Sequence, residues 1–168
     1  MERLNSLVAC ALLLICSCAC NPDKKLSEEA IRTPPEEAEP SVQDLRHRLL
    51  DQGYEVFEYV DEKSGDTVLM QQYFIAFLKS GPNRSQSKAE ADSLQRLHLA
   101  HLGKMYAEGY ADISGPFGDD GEIRGITIYN TPTLEMADSL ANMDPMVKAG
   151  RLVIEVHPWW AAKGFPLR

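Results

Sequence analysis

Cysteine is missing from most of this sequence. Of its 168 residues, only Cys10, Cys16, Cys18 and Cys20 carry thiols, and all four lie at the start. The rest of the chain therefore has no thiol for a disulfide, a nucleophilic thiolate or a cysteine-ligated metal. Any folded domain in it must be stabilised by packing alone.

An excess of positive charge is also missing. The formal net charge is −8 at pH 7, and residues 21–67 carry thirteen acidic against six basic side chains. Residues 68–168 are close to neutral, with eleven acidic and ten basic side chains. Because nucleic acids are bound mainly through basic groups that neutralise phosphates, we expect no nucleic-acid partner.

The apolar run at residues 7–15 is too short to cross a bilayer, which needs roughly 20 residues, but it has the length of a signal-peptide core. The ICSC sequence that follows resembles the bacterial lipobox. This resemblance implies a signal peptide in residues 1–20 and lipidation of Cys18, with Cys20 as a second register. An unlipidated leader or an N-terminal helix is the alternative. We predict a protein of the bacterial cell envelope, attached to the membrane by its lipid.

The chain is long enough for one core with appendages. Residues 21–41 are rich in proline and glutamate and are predicted to form a disordered tether. Residues 42–67 are predicted to form a short amphipathic helix and the beginning of a hairpin. The main domain is then expected over residues 68–168.

Strands and helices are predicted to alternate in this domain. We expect strands at residues 67–79, 110–114, 122–129 and 151–158, a helix over 88–108, and a second helix that begins at 131–133 and ends at 143–145. The order is β-α-β-β-α-β. It predicts an α+β, ferredoxin-like fold, in which two helices cover one face of an antiparallel sheet.

The alternation of side chains along the strands predicts which residues face the helices. These are Ile113, Ile126, Ile128, Leu152, Ile154 and Val156. The opposite face would carry Asp112, Ser114, Thr127, Tyr129, Val153, Glu155 and His157. A face that is half apolar is usually covered, so we predict a homodimer that packs these faces together around a polar-lined cleft.

Two histidines mark the candidate site. His98 and His101 fall on the buried stripe of the predicted long helix. The turn GDDG carries Asp119 and Asp120 and follows the strand that ends in Gly-Pro. We expect the helical imidazole and a turn carboxylate to meet at the end of that strand.

The sequence is similar to the YCII-related domain family, within the wider group of dimeric α/β-barrel proteins. The similarity covers roughly residues 70–163, and the motifs that carry it are YFIAFLKSGP, HLAHL, SGPF, DPMVKAG and LVIEVHPWW. It implies an active site with a helix histidine, which matches His98, and an aspartate near the Gly-Pro turn, which matches Asp119 or Asp120. Related barrels work without a metal, so the resemblance implies no cofactor.

Each of these residues has a structural and a functional interpretation. His98 is either a general acid–base group with an aspartate that orients it, or a histidine that holds its helix in place. His101 is structural or a partner of His98, and His157 is a cleft residue or a strand-end cap. The further predicted cleft residues are Arg124, Tyr129 and Glu155. A metal shared by His98, His101 and an aspartate is disfavoured, because no HExxH-type motif is present.

The sequence thus predicts a lipid-anchored envelope protein with a YCII-like domain. If it is an enzyme, we expect cofactor-independent lyase or isomerase chemistry on a small organic substrate. The alternative is a module that binds a small ligand, or assembles as a dimer, without catalysis.

Overall fold

A single antiparallel sheet organises the part of the chain that the structure describes. The computed structural model describes residues 40–165 and Leu167, so the predicted signal peptide, the lipid at Cys18 and nearly all of the tether lie outside it. The strands are β1 (Val56–Val60), β2 (Thr67–Ser80), β3 (Ala111–Pro116), β4 (Ile123–Tyr129) and β5 (Leu152–Ala162). The helices are α1 (Val42–Asp51), α2 (Lys88–Ala107), α3 (Leu134–Asn142) and α4 (Pro145–Lys148).

Strand β2 is the centre of the sheet. Strand β5 pairs along one of its edges, while β1 and β4 pair with successive parts of the other edge, and β3 lies outside β4. The order β3-β4-β2-β5, with α2 between β2 and β3 and α3 between β4 and β5, is the ferredoxin-like arrangement. The predicted α+β fold class is therefore confirmed, and α1 and β1 are additions at its N-terminal side.

Local hydrogen bonds fix where the helices begin and end. At α2, the Ser87 hydroxyl accepts from the Glu90 backbone N–H at 3.3 Å, and the Glu90 carboxylate accepts from the Ser87 N–H at 2.8 Å. This reciprocal cap satisfies two N–H groups that have no partner within the helix. Gly109, with φ of 75°, turns the chain just after α2 in a conformation that favours glycine.

The core lies between the sheet and α2, α3 and α4. Phe74 and Ala76 of β2 point towards the helices, where Met105 and Ala137 are buried against them, and Leu78 packs with Met146 of α4. Full burial of a side chain such as Phe or Met contributes roughly 1.5–3 kcal/mol. Residue 98 of α2 lies on the same side as Met105, so the core fixes the position of His98.

Two of the predicted strand faces are reversed in the structure. Tyr129 lies opposite Phe74 and Thr127 opposite Ala76, so both face the helices, and Ile126 and Ile128 point the other way. The prediction for Ile113 was wrong in the same way, because Ile113 pairs with Ile128, and Ser114 pairs with Thr127. The prediction for Leu152, Ile154 and Val156 was correct. Over residues 126–129 of β4, both alternating sets are β-branched or aromatic, so the pattern could not distinguish the faces, and the register with β2 decides them.

The sheet face turned away from α2 and α3, here called the open face, carries a largely apolar surface. It includes Tyr73, Ile75, Phe77, Ile128 and Trp159. The partly exposed Ile113 and Val153, which are 37% and 45% exposed, extend it. No helix within residues 40–165 is long and apolar enough to cross a membrane.

Candidate active site

His98 of α2 is buried and is held by a carboxylate. It is 8% exposed, and its Nδ1 lies 2.5 Å from Oδ2 of Asp144, which is 2% exposed. A carboxylate of low pKa can only accept, so the imidazole donates from Nδ1. The other nitrogen, Nε2, makes no hydrogen bond within the described residues and is the one left for a ligand.

The second oxygen of Asp144 is used by the fold. Oδ1 accepts from the backbone N–H of Met146 at 2.8 Å, and this bond caps α4 with Pro145 in its first turn. Both carboxylate oxygens are therefore fixed, one by α4 and the other by His98. The pair joins α2 to α4 and sets the orientation of the imidazole.

The surroundings keep Asp144 ionised. Burial raises the pKa of this carboxyl, but the hydrogen bond and charge of His98 and the N–H of Met146 outweigh burial, so that the pKa lies below its ordinary value of 3.8. An ionised carboxylate fixed at Nδ1 can orient an imidazole for acid–base chemistry, and it can equally hold two helices together.

A cavity of about 330 Å³ lies beside His98, between α2 and the ends of β3 and β4. Its walls combine apolar side chains with a few polar groups. They are formed by Leu78, Gln95, His98, Leu99, Leu102, Ser114, Gly115, Pro116, Arg124, Gly125, Ile126 and Leu152. A concave, mostly apolar cavity with a few convergent polar groups is the usual form of a small-molecule site.

Arg124 contributes a cation to the wall of this cavity. Its Nη1 donates to the carbonyl of Gly121 at 3.1 Å, and its Nη2 lies 3.7 Å from a carboxylate oxygen of Asp120. Ser114 is a further polar group of the wall, and its hydroxyl lies 3.0 Å from that of Thr127. The cavity thus offers a guanidinium, a hydroxyl and an imidazole around one volume.

The predicted partners of His98 are not in contact with it. Asp119 accepts from the backbone N–H of Gly121 at 3.1 Å, in a turn of exposed residues. The side chain of Asp120 is fully exposed and lies near Arg124. Asp144, and not Asp119 or Asp120, is the carboxylate in contact with His98. The acidic turn is connected to the cavity wall through Arg124.

His101 lies one turn further along α2, and its Nε2 is buried without a partner among the described residues. Burial lowers the pKa of His101, although the charge of Asp144 and the nearby carbonyl of Leu140 act in the opposite direction. The pKa of His101 therefore lies below its ordinary value of 6.5.

The remaining predicted cleft residues lie away from the cavity. Tyr129 is 2% exposed in the core, and burial, followed by the charge of Asp144, raises its pKa. His157 lies on the open face, where its Nε2 is 2.6 Å from Glu155 and its ring packs edge-on against Phe77. Glu155 also accepts from Lys79 at 3.1 Å. The sheet separates this network from His98.

The metal alternative has no geometric basis among the described residues. Within residues 40–165, no three side chains of histidine, cysteine, aspartate or glutamate are grouped so that they could hold an ion.

Asp144, which sequence reasoning missed as a site residue, had one local signal. Asp-Pro is a strong combination for the cap and first position of a helix, and such a capping carboxylate is fixed in place.

Comparison with solved structures finds eight similar chains. No protein-family model matches the chain, and no curated protein matches it. The chain is similar to 5-chloro-2-hydroxyhydroquinone dehydrochlorinase from Burkholderia phenoliruptrix AC1100, solved in complex with 2,5-dihydroxybenzoquinone. The TM-score is 0.41 at 22% identity, over 52% of this chain and 92% of that chain. A similarity of this size does not bear on the reaction, which has to follow from the residues of the site.

Proposed function

We propose that this protein is a cofactor-independent acid–base enzyme of the lyase or isomerase type and a member of the YCII-related family. Its substrate would be a small organic molecule bound in the cavity beside His98. The observation that carries the proposal is the buried His98–Asp144 pair. Nδ1 of His98 lies 2.5 Å from Oδ2 of Asp144, and His98 lines a cavity of about 330 Å³. A buried imidazole that is held in one orientation, with one nitrogen that makes no hydrogen bond to the described residues, is suited to proton transfer.

In this proposal, Nε2 of His98 removes a proton from a carbon or oxygen of the substrate. The imidazolium is stabilised by Asp144, which stays ionised. In an isomerisation, the same proton then returns to another atom of the molecule. In an elimination, the electron pair of the broken bond to hydrogen forms the new double bond, a leaving group departs with its own bonding pair, and His98 passes the proton to that group or to water. Arg124 would stabilise the enolate or phenolate oxygen that develops, since a fixed donor acts most strongly where charge appears.

A non-catalytic ligand-binding module is the second candidate. It is favoured by the double use of Asp144, which caps α4 and ties it to α2. A pair that serves only to hold two helices together would leave the cavity as a passive binding site. The two candidates differ in what the loss of the imidazole does to turnover.

The experiment is a thermal-shift screen of small acids, lactones, phenols and quinones, followed by a turnover assay on each hit. A ligand at 100 times its Kd stabilises the protein by about 2.7 kcal/mol. We expect a hit whose conversion falls about 10²–10⁴-fold in His98→Gln, the usual contribution of a general base. His157→Gln is the matched control, because that histidine lies on the other face of the sheet.

Three results decide between the candidates. Turnover that depends on His98 and not on His157 supports the enzyme. A hit that binds His98→Gln as tightly as the native protein, with no conversion by either, supports the passive module. A variant that only melts earlier, with no ligand for either protein, leaves His98 a structural residue and contradicts both.

We further propose that the domain is held to the bacterial cell envelope by a lipid on Cys18. The support is the lipobox-like sequence, which lies outside the described residues. Replacement of both Cys18 and Cys20 by alanine should release the protein from the membrane fraction and abolish incorporation of labelled fatty acid. Retention of the double variant in the membrane contradicts the proposal.

The open face supports a homodimer. Val153 and Trp159 are 45% and 40% exposed there, beside the apolar side chains of β2 and β4. A second copy would cover this area with the same surface, as two-fold symmetry requires. Sedimentation should give a dimer for the native protein and a monomer for Val153→Glu, which adds a charge at an exposed position without disturbing the core. A native monomer at micromolar concentration contradicts this.

A further inference from the structure

A second cavity, of about 580 Å³, lies on the open face, on the other side of the sheet from His98. Its volume falls in the range of about 300–1,000 Å³ that is usual for small-molecule sites. The walls are mostly apolar and include Ile113, Ile128, Trp159, Ala161 and Phe165. None of the residues that line the His98 cavity takes part in it.

Among the described residues, Lys163 contributes a cation to the wall of this apolar cavity. Lys163, which follows β5, donates from Nζ to the phenol oxygen of Tyr73 at 2.9 Å. Its backbone N–H donates to the carbonyl of Leu69 at 2.8 Å, so the position of the residue is fixed by β2. Because Lys163 supplies the donor in that bond, the phenolic hydrogen of Tyr73 remains free to donate elsewhere.

Lys163 forms no salt bridge with any residue that the structure describes. The carboxylate of Asp112, which also lines the cavity, acts on Lys163 through its charge and accepts from Asn130 at 3.3 Å. Burial lowers the pKa of Lys163 more than the charge of Asp112 raises it. Burial, with the charge of Asp112, raises the pKa of Tyr73 to about 12, so its phenol stays protonated and can donate.

We propose that this cavity binds a small apolar anion, an aromatic ring or compact hydrocarbon that carries one carboxylate. The ammonium of Lys163 and the hydroxyl of Tyr73 converge on one place, and a carboxylate there would accept from both. Trp159 and Ile128 offer the apolar surface for the remainder of the molecule. The proposal is independent of the reaction at His98, because the two cavities lie on opposite faces of the sheet.

Isothermal titration calorimetry of the full chain in detergent tests this with 2-naphthoate and its neutral counterpart, 2-naphthamide. We expect the anion to bind the native protein and to bind Lys163→Met about tenfold or more weakly, because a charge-assisted hydrogen bond is lost. Lys163→Arg should restore most of the affinity. The amide should bind both proteins weakly. Comparison of variants in one detergent cancels the partition of the probe into micelles.

His98→Gln is the control for binding at the other cavity and should leave the affinity for 2-naphthoate unchanged. Tyr73→Phe, which keeps the ring, is the second variant if Lys163→Met does not fold, and it should weaken the anion more than the amide. Equal affinity in Lys163→Met and the native protein overturns the proposal, and so does a loss of binding in His98→Gln. Absence of binding to the native protein also overturns the proposal. A particle mass that changes in Lys163→Met would then assign Lys163 to the contact between two copies of the chain on the open face.

Discussion

Replacement of Asp144 by asparagine removes the negative charge of the side chain and keeps its shape. The amide oxygen can continue to accept from Met146 and cap α4, which leaves the NH₂ group facing Nδ1 of His98. Because two donors cannot bond to each other, the imidazole has to move its proton to Nε2. The nitrogen that faces the cavity is then a donor, and the buried counter-charge of the imidazolium is gone.

The expected cost follows from the burial of the pair. A hydrogen bond to a charged group contributes about 1.5–3 kcal/mol, and Asp144→Asn should lower the free energy of unfolding by about this amount. Asp144→Ala also removes the cap and leaves His98 unpaired, so it should cost about 3–5 kcal/mol, as the loss of one partner of a buried pair does. Urea unfolding with an unchanged m-value measures both.

The effect of pH provides an independent check. The pKa of Asp144 is lowered from 3.8 in the folded protein, so its contribution is complete above that value and is lost as the pH falls through the folded pKa. The stabilities of the native protein and Asp144→Asn should therefore converge below pH 3.8. A cost under about 0.5 kcal/mol, or a difference that does not change with pH, would refute the reasoning, because surface changes have effects of this size.

Three further predictions concern the same site. Gly125→Ala should cost about 1–3 kcal/mol in thermal unfolding, because its Cβ would lie 2.6 Å from the carbonyl oxygen of Gly115. Gly103→Ala has open space within 4 Å and should stabilise α2 by up to about 1 kcal/mol, and equal effects of the two substitutions would contradict this. The pKa of His101 is lowered from 6.5, so the unfolded state binds more protons and stability falls as the pH drops below 6.5; His101→Gln should flatten that dependence in urea titrations. Asp120→Asn should leave ligand-induced thermal shifts unchanged, whereas a shift that disappears would return the acidic turn to the site.

Much of the fold follows from local sequence signals. The helix predicted over residues 88–108 is observed as Lys88–Ala107, because Ser87 and Glu90 form a cap and Gly109 ends it. The last strand continues past its predicted end at residue 158 and through the two tryptophans, since it pairs with β2 up to Ala162. Pro158 is tolerated because β5 is an edge strand. The faces of β4 could not be predicted, since they depend on a register between distant segments.

The candidate site, like the fold, could be predicted only where its residues depend on local sequence. Helical periodicity is a local property, and it was enough to place His98 on the buried side of α2. Its partner, Asp144, is 46 residues away in the chain and meets it only because α4, which Asp144 caps, packs against α2. The Asp-Pro pair was interpreted as the end of a helix and not as the cap of the next one. Charge in a loop, which singled out Asp119 and Asp120, says little about contact, because exposed turns are the usual place for such residues.

The tautomer of His98 tests the central claim most directly. A two-dimensional ¹H–¹⁵N spectrum of the imidazoles, recorded at a pH where the ring is neutral, distinguishes a protonated Nδ1 from a protonated Nε2. We predict a proton on Nδ1, bonded to Asp144, and an unprotonated Nε2 that faces the cavity, with the assignment reversed in Asp144→Asn. A native protein that carries the proton on Nε2 would contradict the account, since the cavity would then face a donor and no base.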